Sequence, residues 1–201
     1  MNTIETTFAV KLPEKYQKYG LTNNIKARLA YEYFHDLNLA LHFMRQDPKT
    51  YFYFLKRCIA RGNVSLFKKL FKSVTWTQQH NLAVKKLFVA ANYYKRFSIM
   101  DFLYKNNKEN LDFTHKEWIT HYLYSFNDQA KHFILINELK NFEELKRIPM
   151  NVWSNLMVLF LNHEKMWYLY DNLFDIRNEI KNPMNIVEAA NLFGLEYYGK
   201  K

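Results

Sequence analysis

Residues 50–73 read TYFYFLKRCIARGNVSLFKKLFKS, and the same apolar pattern returns three times further along the chain. The later copies are 84–106 (VKKLFVAANYYKRFSIMDFLYKN), 118–141 (WITHYLYSFNDQAKHFILINELKN) and 152–175 (VWSNLMVLFLNHEKMWYLYDNLFD). Three apolar columns align the copies in steps of 33, 35 and 34 residues: Phe54, Leu87, Tyr122 and Leu156; Phe67, Met100, Leu135 and Leu169; Phe71, Tyr104, Leu139 and Leu173. Two amphipathic stretches per period indicate one helical hairpin, and stacked hairpins form a solenoid.

Proline and glycine punctuate the same units. Pro48 and Pro149 precede the first and fourth repeats, and Pro183 opens a last helix that Gly194 ends. We therefore predict an all-α fold, an α-solenoid of about four to five stacked helical hairpins. The predicted boundaries are an irregular arm over 1–20 and a single helical-repeat domain over 21–201, with a short hairpin over 21–46, repeats starting near 49, 82, 117 and 151, and a capping helix over 183–194.

Two threonines have the spacing of a capping box at predicted helix starts: Thr75 with Gln78, and Thr114 with Glu117. In this motif the threonine side chain accepts a hydrogen bond from a free N–H group of the first helical turn, and the second side chain accepts one in return. We expect a helix to begin directly after each threonine.

The composition excludes several classes of protein. Of 201 residues, 49% are hydrophobic, whereas glycine and proline occur four times each, too few for the turns of sandwiches, barrels or glycine-rich nucleotide-binding folds. The single cysteine, Cys58, excludes an intramolecular disulfide and a CxxC site, and its apolar neighbours indicate a core position. The uncharged stretches are too short to cross a bilayer. The opening MNTIETTFAVKLPEK lacks the apolar core of a signal peptide, so we expect an intracellular, non-secreted protein, whether cytoplasmic, nuclear or mitochondrial.

The net charge of +10 is concentrated in one half of the chain. Residues 1–100 contain 17 Lys and Arg against 5 acids, and residues 101–201 contain 12 against 14. Between Asp47 and Asp101 lies an acid-free stretch with 11 basic residues. Such a stretch creates a positive field that attracts polyanions.

Basic and aromatic side chains interleave within this stretch. Basic side chains neutralise phosphates, and an exposed ring can stack on an unpaired base. We therefore predict that the basic N-terminal half docks on RNA or a ribonucleoprotein, mainly through the phosphate backbone, and that the C-terminal half (117–193) meets protein. The predicted RNA-binding residues are Lys56, Arg57, Arg61, Lys68, Lys69, Lys72, Lys85, Lys86, Lys95 and Arg96, with Tyr93 and Tyr94 as stacking platforms.

The fourth copy, with Val152-Trp-Ser-Asn-Leu-Met and Trp167-Tyr-Leu-Tyr-Asp-Asn-Leu, resembles a pentatricopeptide repeat in period and apolar columns. The resemblance implies binding of single-stranded RNA at one base per repeat, read by a polar residue early in the first helix and another at the end of the repeat. The matching positions are Tyr53 with Asn81, Lys86 with Lys116, His121 with Met150, and Asn155.

Two other segments are similar to the helices of degenerate ankyrin repeats: Cys58-Ile-Ala-Arg-Gly-Asn-Val-Ser-Leu-Phe-Lys-Lys-Leu-Phe and 90–103. This resemblance implies a protein-binding scaffold, although the TPLH turn of that family is absent. Together the two resemblances cover about residues 49–176. The alternatives to RNA binding are a scaffold of the ankyrin type, whose basic face meets an acidic partner, or an accessory structural subunit of a large assembly.

Motifs of catalytic and metal sites are missing from the sequence. It contains no GxxxxGK[ST], GxGxxG, GxSxG or HExxH pattern. Glu32 and His35 have the spacing used in di-iron bundles, but those sites need a second ExxH. We therefore predict a non-enzymatic binding protein without a cofactor or a metal.

Overall fold

The computed structural model describes residues 20–160, 163–173 and 180–195, and every regular element within these ranges is a helix. The all-α prediction is confirmed for this part of the chain. The predicted irregular arm lies outside the described residues, apart from Gly20. In the same ranges, no helix combines the length and the apolar character that crossing a membrane requires.

Twelve α-helices occur in the described ranges, together with three short 3-10 turns. The helices are α1 (Asn23–Glu32), α2 (Leu37–Arg45), α3 (Pro48–Arg61), α4 (Val64–Lys72), α5 (Asn81–Tyr93), α6 (Phe97–Asn107), α7 (His115–Leu123), α8 (Asp128–Asn137), α9 (Glu143–Lys146), α10 (Met150–Phe160), α11 (His163–Leu173) and α12 (Ile186–Leu192). The 3-10 turns are Gln78–His80, Lys108–Asn110 and Leu139–Asn141.

Polar caps set the helix starts. The side chain of Asp47 accepts a hydrogen bond from the Lys49 N–H at 3.0 Å, and Pro48 occupies the first position of α3, where its missing N–H is harmless. Thr114 and Glu117 form the predicted capping box at α7, with the Thr114 N–H donating to Glu117 Oε2 at 2.8 Å. The capping prediction at α7 is confirmed.

The capping prediction at Thr75 and Gln78 is wrong by two residues. Thr77 precedes the 3-10 turn, its backbone N–H donates to His80 Nδ1 at 3.1 Å, and α5 begins only at Asn81. A histidine ring therefore takes the place that glutamate or glutamine holds in the usual motif.

The predicted hairpins correspond to observed helix pairs. The first helix of each pair begins at Pro48, Asn81, His115 or Met150, against predicted starts near 49, 82, 117 and 151. All twelve residues of the three repeat columns are buried, with exposed fractions of 8% or less. Each hairpin therefore buries the same face of its two helices.

The predicted terminal elements also correspond to helices. The short hairpin over 21–46 is α1 and α2. The capping helix begins at Ile186 rather than at Pro183, because the side chain of Asn185 caps it. Gly194 follows this helix with φ of +79°, a left-handed conformation that favours glycine.

The chain divides into two compact units at Ser73. In the first unit α1 packs on α2 and α3, α2 packs on α3, and α3 packs on α4. In the second unit α5 packs on α6, α7 on α8, and α10 on both α11 and α12, while α6 also contacts α8. One repeat domain over 21–201, wound as a solenoid, stays a prediction.

The third hairpin departs from the regular pattern. α8 ends at Asn137, and the buried column residue Leu139 belongs to the following 3-10 turn instead. This path brings Glu138 to α6, where it accepts a hydrogen bond from the Tyr104 hydroxyl and lies 3.2 Å from Lys108 Nζ. Burial and this hydrogen bond raise the pKa of Tyr104, so the hydroxyl stays protonated and donates.

Two leucines of α5 test the repeat register. Leu87 is a column residue with no exposed surface, whereas Leu82 on the same helix is 63% exposed. We expect Leu87→Ala to lower the free energy of unfolding by about 2–5 kcal/mol, because it opens a cavity in the core. Leu82→Ala should change it by less than about 0.5 kcal/mol. Urea denaturation measures both, and equal losses would contradict the register.

Candidate nucleic-acid interface

Two predicted cations of the first unit converge on one acid. Arg57 Nη2 and Arg61 Nη1, one turn apart on α3, lie 2.6 Å and 3.4 Å from Glu32 Oε1 of α1. Arg28, one turn before Glu32, approaches Oε2 at 3.9 Å. These three arginines around Glu32 form the arginine cluster. Glu32 precedes the acid-free stretch, so the spacing of charges along the sequence does not reveal this cluster.

The lysines of the first unit lie on amphipathic helices. α4 buries Phe67, Leu70 and Phe71, while Lys69 and Lys72 are exposed and Lys68 is half-buried. Lys56 on α3 is also exposed, with its ammonium group 5.9 Å from the centroid of the Phe52 ring. Because the buried faces are occupied, the ammonium groups of Lys56, Lys69 and Lys72 lie where a polyanion can reach them.

In the second unit Lys85 has a structural role. Its Nζ lies 2.9 Å from Asp112 Oδ1, donates to the Asp112 carbonyl oxygen at 2.7 Å and sits 5.1 Å from the Phe113 ring centroid. These contacts tie α5 to the segment before α7. Lys86, the next residue, is exposed instead.

α5 ends in an exposed aromatic and basic turn. Tyr93 is 67% exposed, Tyr94 is exposed as well, and their rings meet edge to face at 5.2 Å. Lys95 is exposed and leaves the helix with φ of +58°. Arg96, which is half-buried, then precedes α6. The predicted stacking residues therefore present their rings to solvent beside a cation.

α7 ends in a second exposed aromatic turn. Tyr124 and Phe126 are exposed, Phe126 at 60%. The ammonium groups of Lys95 and Lys165 lie 5.8 Å and 5.2 Å from the centroid of the Phe126 ring. The segments 93–96 and 124–127 are together the aromatic turns. Lys165 Nζ also donates to the Leu123 carbonyl oxygen at 2.6 Å, which holds it beside the second turn.

A buried polar pair connects the two aromatic turns. Asn92 donates from Nδ2 to the His121 carbonyl oxygen at 3.0 Å, and its Oδ1 accepts from Ser125 Oγ at 2.8 Å. Asn92 and Ser125 are both buried. Asn127 adds a longer contact of 3.5 Å to the Lys95 carbonyl oxygen. Satisfied buried polar groups fix relative positions, so the exposed rings of the two turns are held near one another.

Sequence reasoning missed Tyr124, Phe126 and Lys165. Tyr124 directly follows α7 as Tyr94 directly follows α5, but the two tyrosines are 30 residues apart and not the 35 of the repeat, so the repeat register does not align the two turns. Asp128, directly after this turn, obscures it in a search for basic stretches. Lys165 comes from α11, and only the fold brings it to Phe126.

One position matched to base reading is unsuitable for that role. His121 lies among aromatic rings, with centroids 4.6 Å from Phe113 and 6.4 Å from both Phe88 and Trp118. Its Nε2 is shielded from solvent and finds no hydrogen-bond partner among the described residues. Burial lowers the pKa of His121 to about 4, against a smaller opposing effect of Glu117. The ring is therefore neutral at pH 7 and belongs to the packing.

In the C-terminal half, the exposed surface of α10 carries apolar residues. On α10, Met150, Val158 and Leu159 are exposed, and so is the polar Asn155, another position matched to base reading. The opposite side of the helix is buried, including Trp153. α10 therefore has apolar side chains on both its buried and its exposed surface.

In the part of the chain that the structure describes, Cys58 and the metal-ligating residue types show no arrangement for nucleophilic or metal chemistry. Cys58 is buried, as predicted, and burial raises the pKa of its thiol to about 11. A thiol of this kind stays protonated and is a poor nucleophile. Within the described ranges, no group of three or more His, Cys, Asp or Glu is placed to hold a metal ion.

Comparisons of the chain with protein-family models, with curated proteins and with solved structures find no match.

The pKa of His121 predicts a pH dependence of stability. Its ordinary pKa is 6.5 and its folded pKa is about 4, so the unfolded chain binds more protons between these values. The stabilisation by the neutral ring is fully present above about pH 6.5 and is lost as the pH falls to about 4, by up to about 3 kcal/mol. Urea denaturation across this range should show a weaker loss in His121→Phe, which keeps an aromatic ring. Equal losses in both proteins would show that His121 is not the buried titrating group.

Proposed function

We propose that this protein binds single-stranded RNA, alone or within a ribonucleoprotein, without catalysing a reaction. The observation that carries the proposal is the pair of aromatic turns: they present four exposed rings, and one of these, Phe126, lies 5.8 Å and 5.2 Å from the ammonium groups of Lys95 and Lys165. Exposed rings stack on unpaired bases, and nearby cations neutralise the phosphates that connect them.

Exposed lysines support phosphate contacts that do not depend on base sequence. Six lysines of the acid-free stretch are exposed: Lys49, Lys56, Lys69, Lys72, Lys86 and Lys95. Ammonium groups on flexible stems recognise charge rather than base edges. Among the first-helix positions matched to base reading, Asn155 alone is an amide. The expected mode is electrostatic capture followed by stacking, with little base readout.

We further propose that the hairpins stack as a solenoid. Three observations support this arrangement: the equal spacing of the hairpin starts, the burial of every column residue, and the hydrogen bonds that Asn92 makes to the next hairpin. In a solenoid, equivalent turns of successive repeats lie side by side along one edge. The two aromatic turns would then be neighbouring elements of an extended RNA-binding edge.

Charge reversal at exposed lysines tests whether electrostatic attraction contributes to RNA binding. Wild-type affinity for a mixed-sequence RNA single strand should fall steeply between about 50 and 200 mM salt. In the triple variant Lys69→Glu, Lys86→Glu, Lys95→Glu, we expect at least about tenfold weaker binding and a salt slope reduced by about 2, since each lost phosphate contact removes about 0.7. Fluorescence anisotropy measures both quantities.

A matched triple variant controls for net charge. It carries Lys105→Glu, Lys140→Glu and Lys181→Glu, three exposed lysines outside the acid-free stretch. Its salt slope should stay close to that of the wild type. Equal effects of the two triple variants would mean that RNA responds only to net charge, which contradicts a specific basic surface.

Removal of exposed aromatic rings tests whether they stack on RNA bases. Each of Tyr93→Ala and Phe126→Ala should weaken single-stranded RNA binding by about 1–3 kcal/mol if its ring stacks on a base. That range corresponds to roughly 5- to 150-fold in Kd. Binding to duplex RNA, whose bases are already stacked, should not change. Val158→Ala, which removes an exposed apolar side chain of α10, is the control. Unchanged single-strand affinity in both ring variants would exclude stacking at the aromatic turns.

A second candidate function is protein binding through the C-terminal half. The exposed Met150, Val158 and Leu159 on α10 favour it, because apolar residues that share a surface commonly mark interaction sites. This candidate is compatible with RNA binding, since the two surfaces use different residues. Affinity purification after nuclease treatment distinguishes protein binding from RNA binding. A co-purifying protein that is lost in Val158→Glu, while the affinity for RNA stays unchanged, supports a separate protein contact.

A further inference from the structure

The arginine cluster of the first unit points to a more specific ligand. Arg28, Arg57 and Arg61 place three guanidinium groups within 3.9 Å of one carboxylate, that of Glu32. One negative charge balances one of the three positive charges, so a local charge of about +2 remains. Exposed ion pairs stabilise a fold only weakly, and a single guanidinium would be enough to pair with Glu32. The excess of cations therefore needs another explanation.

The cluster has the geometry of an anion site. Arg57 and Arg61 approach Oε1 of Glu32, and Arg28 approaches Oε2, so both carboxylate oxygens are contacted. Guanidinium groups match phosphate oxygens by the same planar fork that matches a carboxylate. The side chain of Arg57 is 21% exposed, and those of Arg28 and Arg61 are more open, so an anion can enter from solvent.

A groove and an aromatic ring adjoin the cluster. The groove has a volume of about 330 Å³ and is lined by Ile25, Arg28, Leu29, Glu32 and Tyr33. Tyr33 is 63% exposed, and its ring packs against Phe34 at 5.4 Å, edge to face. Because Tyr33 lines the same groove as Arg28 and Glu32, a phosphate on the arginines would have an exposed ring in the adjoining groove.

The charge of Glu32 selects the kind of phosphate. A phosphodiester within a strand carries one negative charge, the same as the carboxylate that it would displace. A terminal phosphate monoester carries about 1.5 to 2 negative charges at neutral pH and balances the three arginines better. Displacement of the Glu32 carboxylate from the arginines is therefore favourable when a terminal phosphate takes its place. When a phosphodiester of the strand interior takes its place, the change in free energy is close to zero.

Resting on the proposed RNA binding, we propose that the arginine cluster binds the terminal phosphate of an RNA strand. In the bound state the phosphate takes the place of the Glu32 carboxylate on Arg28, Arg57 and Arg61, and the terminal base stacks on Tyr33. In the free protein Glu32 occupies the cluster as an internal competitor, which excludes anions of lower charge.

The direct test compares one RNA sequence in two forms, with a 5′-phosphate and with a 5′-hydroxyl, on the full-length protein. We expect about tenfold tighter binding of the phosphorylated strand. Glu32→Gln keeps the shape of the side chain and removes its charge, so it should raise affinity for both strands and let the strand interior compete for the cluster. Arg57→Lys keeps the positive charge but removes the planar guanidinium group, so it should reduce the preference for the phosphorylated strand.

Control measurements distinguish failure of the strand-end site from failure of the proposed RNA binding on which it rests. Lys105→Glu lies in the second unit and should leave the preference unchanged. Salt-dependent binding with equal affinity for both strands would overturn the strand-end site and leave RNA binding intact. Loss of all RNA binding in the wild type would overturn the proposed function itself.

Two competitors identify the source of the phosphate. Inorganic phosphate that displaces the phosphorylated strand at the same concentration as a 5′-mononucleotide would overturn the assignment to a strand end. A phosphoserine peptide that binds more tightly than phosphorylated RNA would overturn it in favour of a protein ligand. Tighter competition by the 5′-mononucleotide, weakened by Tyr33→Ala, supports the site as described.

Discussion

The helices that build the central hairpins are short, 9 to 14 residues for α3 through α8, and isolated helices of this length are marginal in water. Each must therefore bury an apolar face against a neighbour. The three repeat columns satisfy this constraint, because every column residue is buried. What remains for contact with other molecules is the outer face of each helix and the turns between helices. The lysines of α4 occupy such a face, and the exposed tyrosines and Phe126 occupy such turns.

The pairing of charges in the structure depends on which segments lack Asp and Glu and on which carboxylates from other segments contact their cations. Within the acid-free stretch no carboxylate can pair with a cation by helical spacing, so any acidic partner must come from elsewhere in the fold. Two such contacts lie within the described ranges: Glu32 reaches Arg57 and Arg61, and Asp112 reaches Lys85. The two contacts differ in kind. Lys85 and Asp112 balance each other, whereas the arginines outnumber Glu32. In the proposed function, the exposed lysines of the stretch supply the diffuse attraction for a polyanion.

The sequence allowed the helical class, the hairpin starts and the buried columns to be predicted, because periodicity and caps act over short distances along the chain. The interleaving of basic and aromatic residues pointed to Tyr93 and Tyr94, and both rings are exposed. The sequence did not identify the arginine cluster or the contact of Lys165 with Phe126, since both depend on helices distant in sequence. His121 illustrates the opposite error: its position suggested base reading, but its ring packs against three aromatic neighbours.

The central claim is that RNA lies on the aromatic turns of the second unit. Ultraviolet crosslinking of the wild-type protein to a uridine-rich single strand, followed by peptide mass spectrometry, tests it most directly. The account predicts crosslinks at the exposed rings of the two turns, above all at Tyr93 and Phe126. Crosslinks confined to α10, or an absence of crosslinks under conditions in which a known single-strand-binding protein is captured, would contradict it.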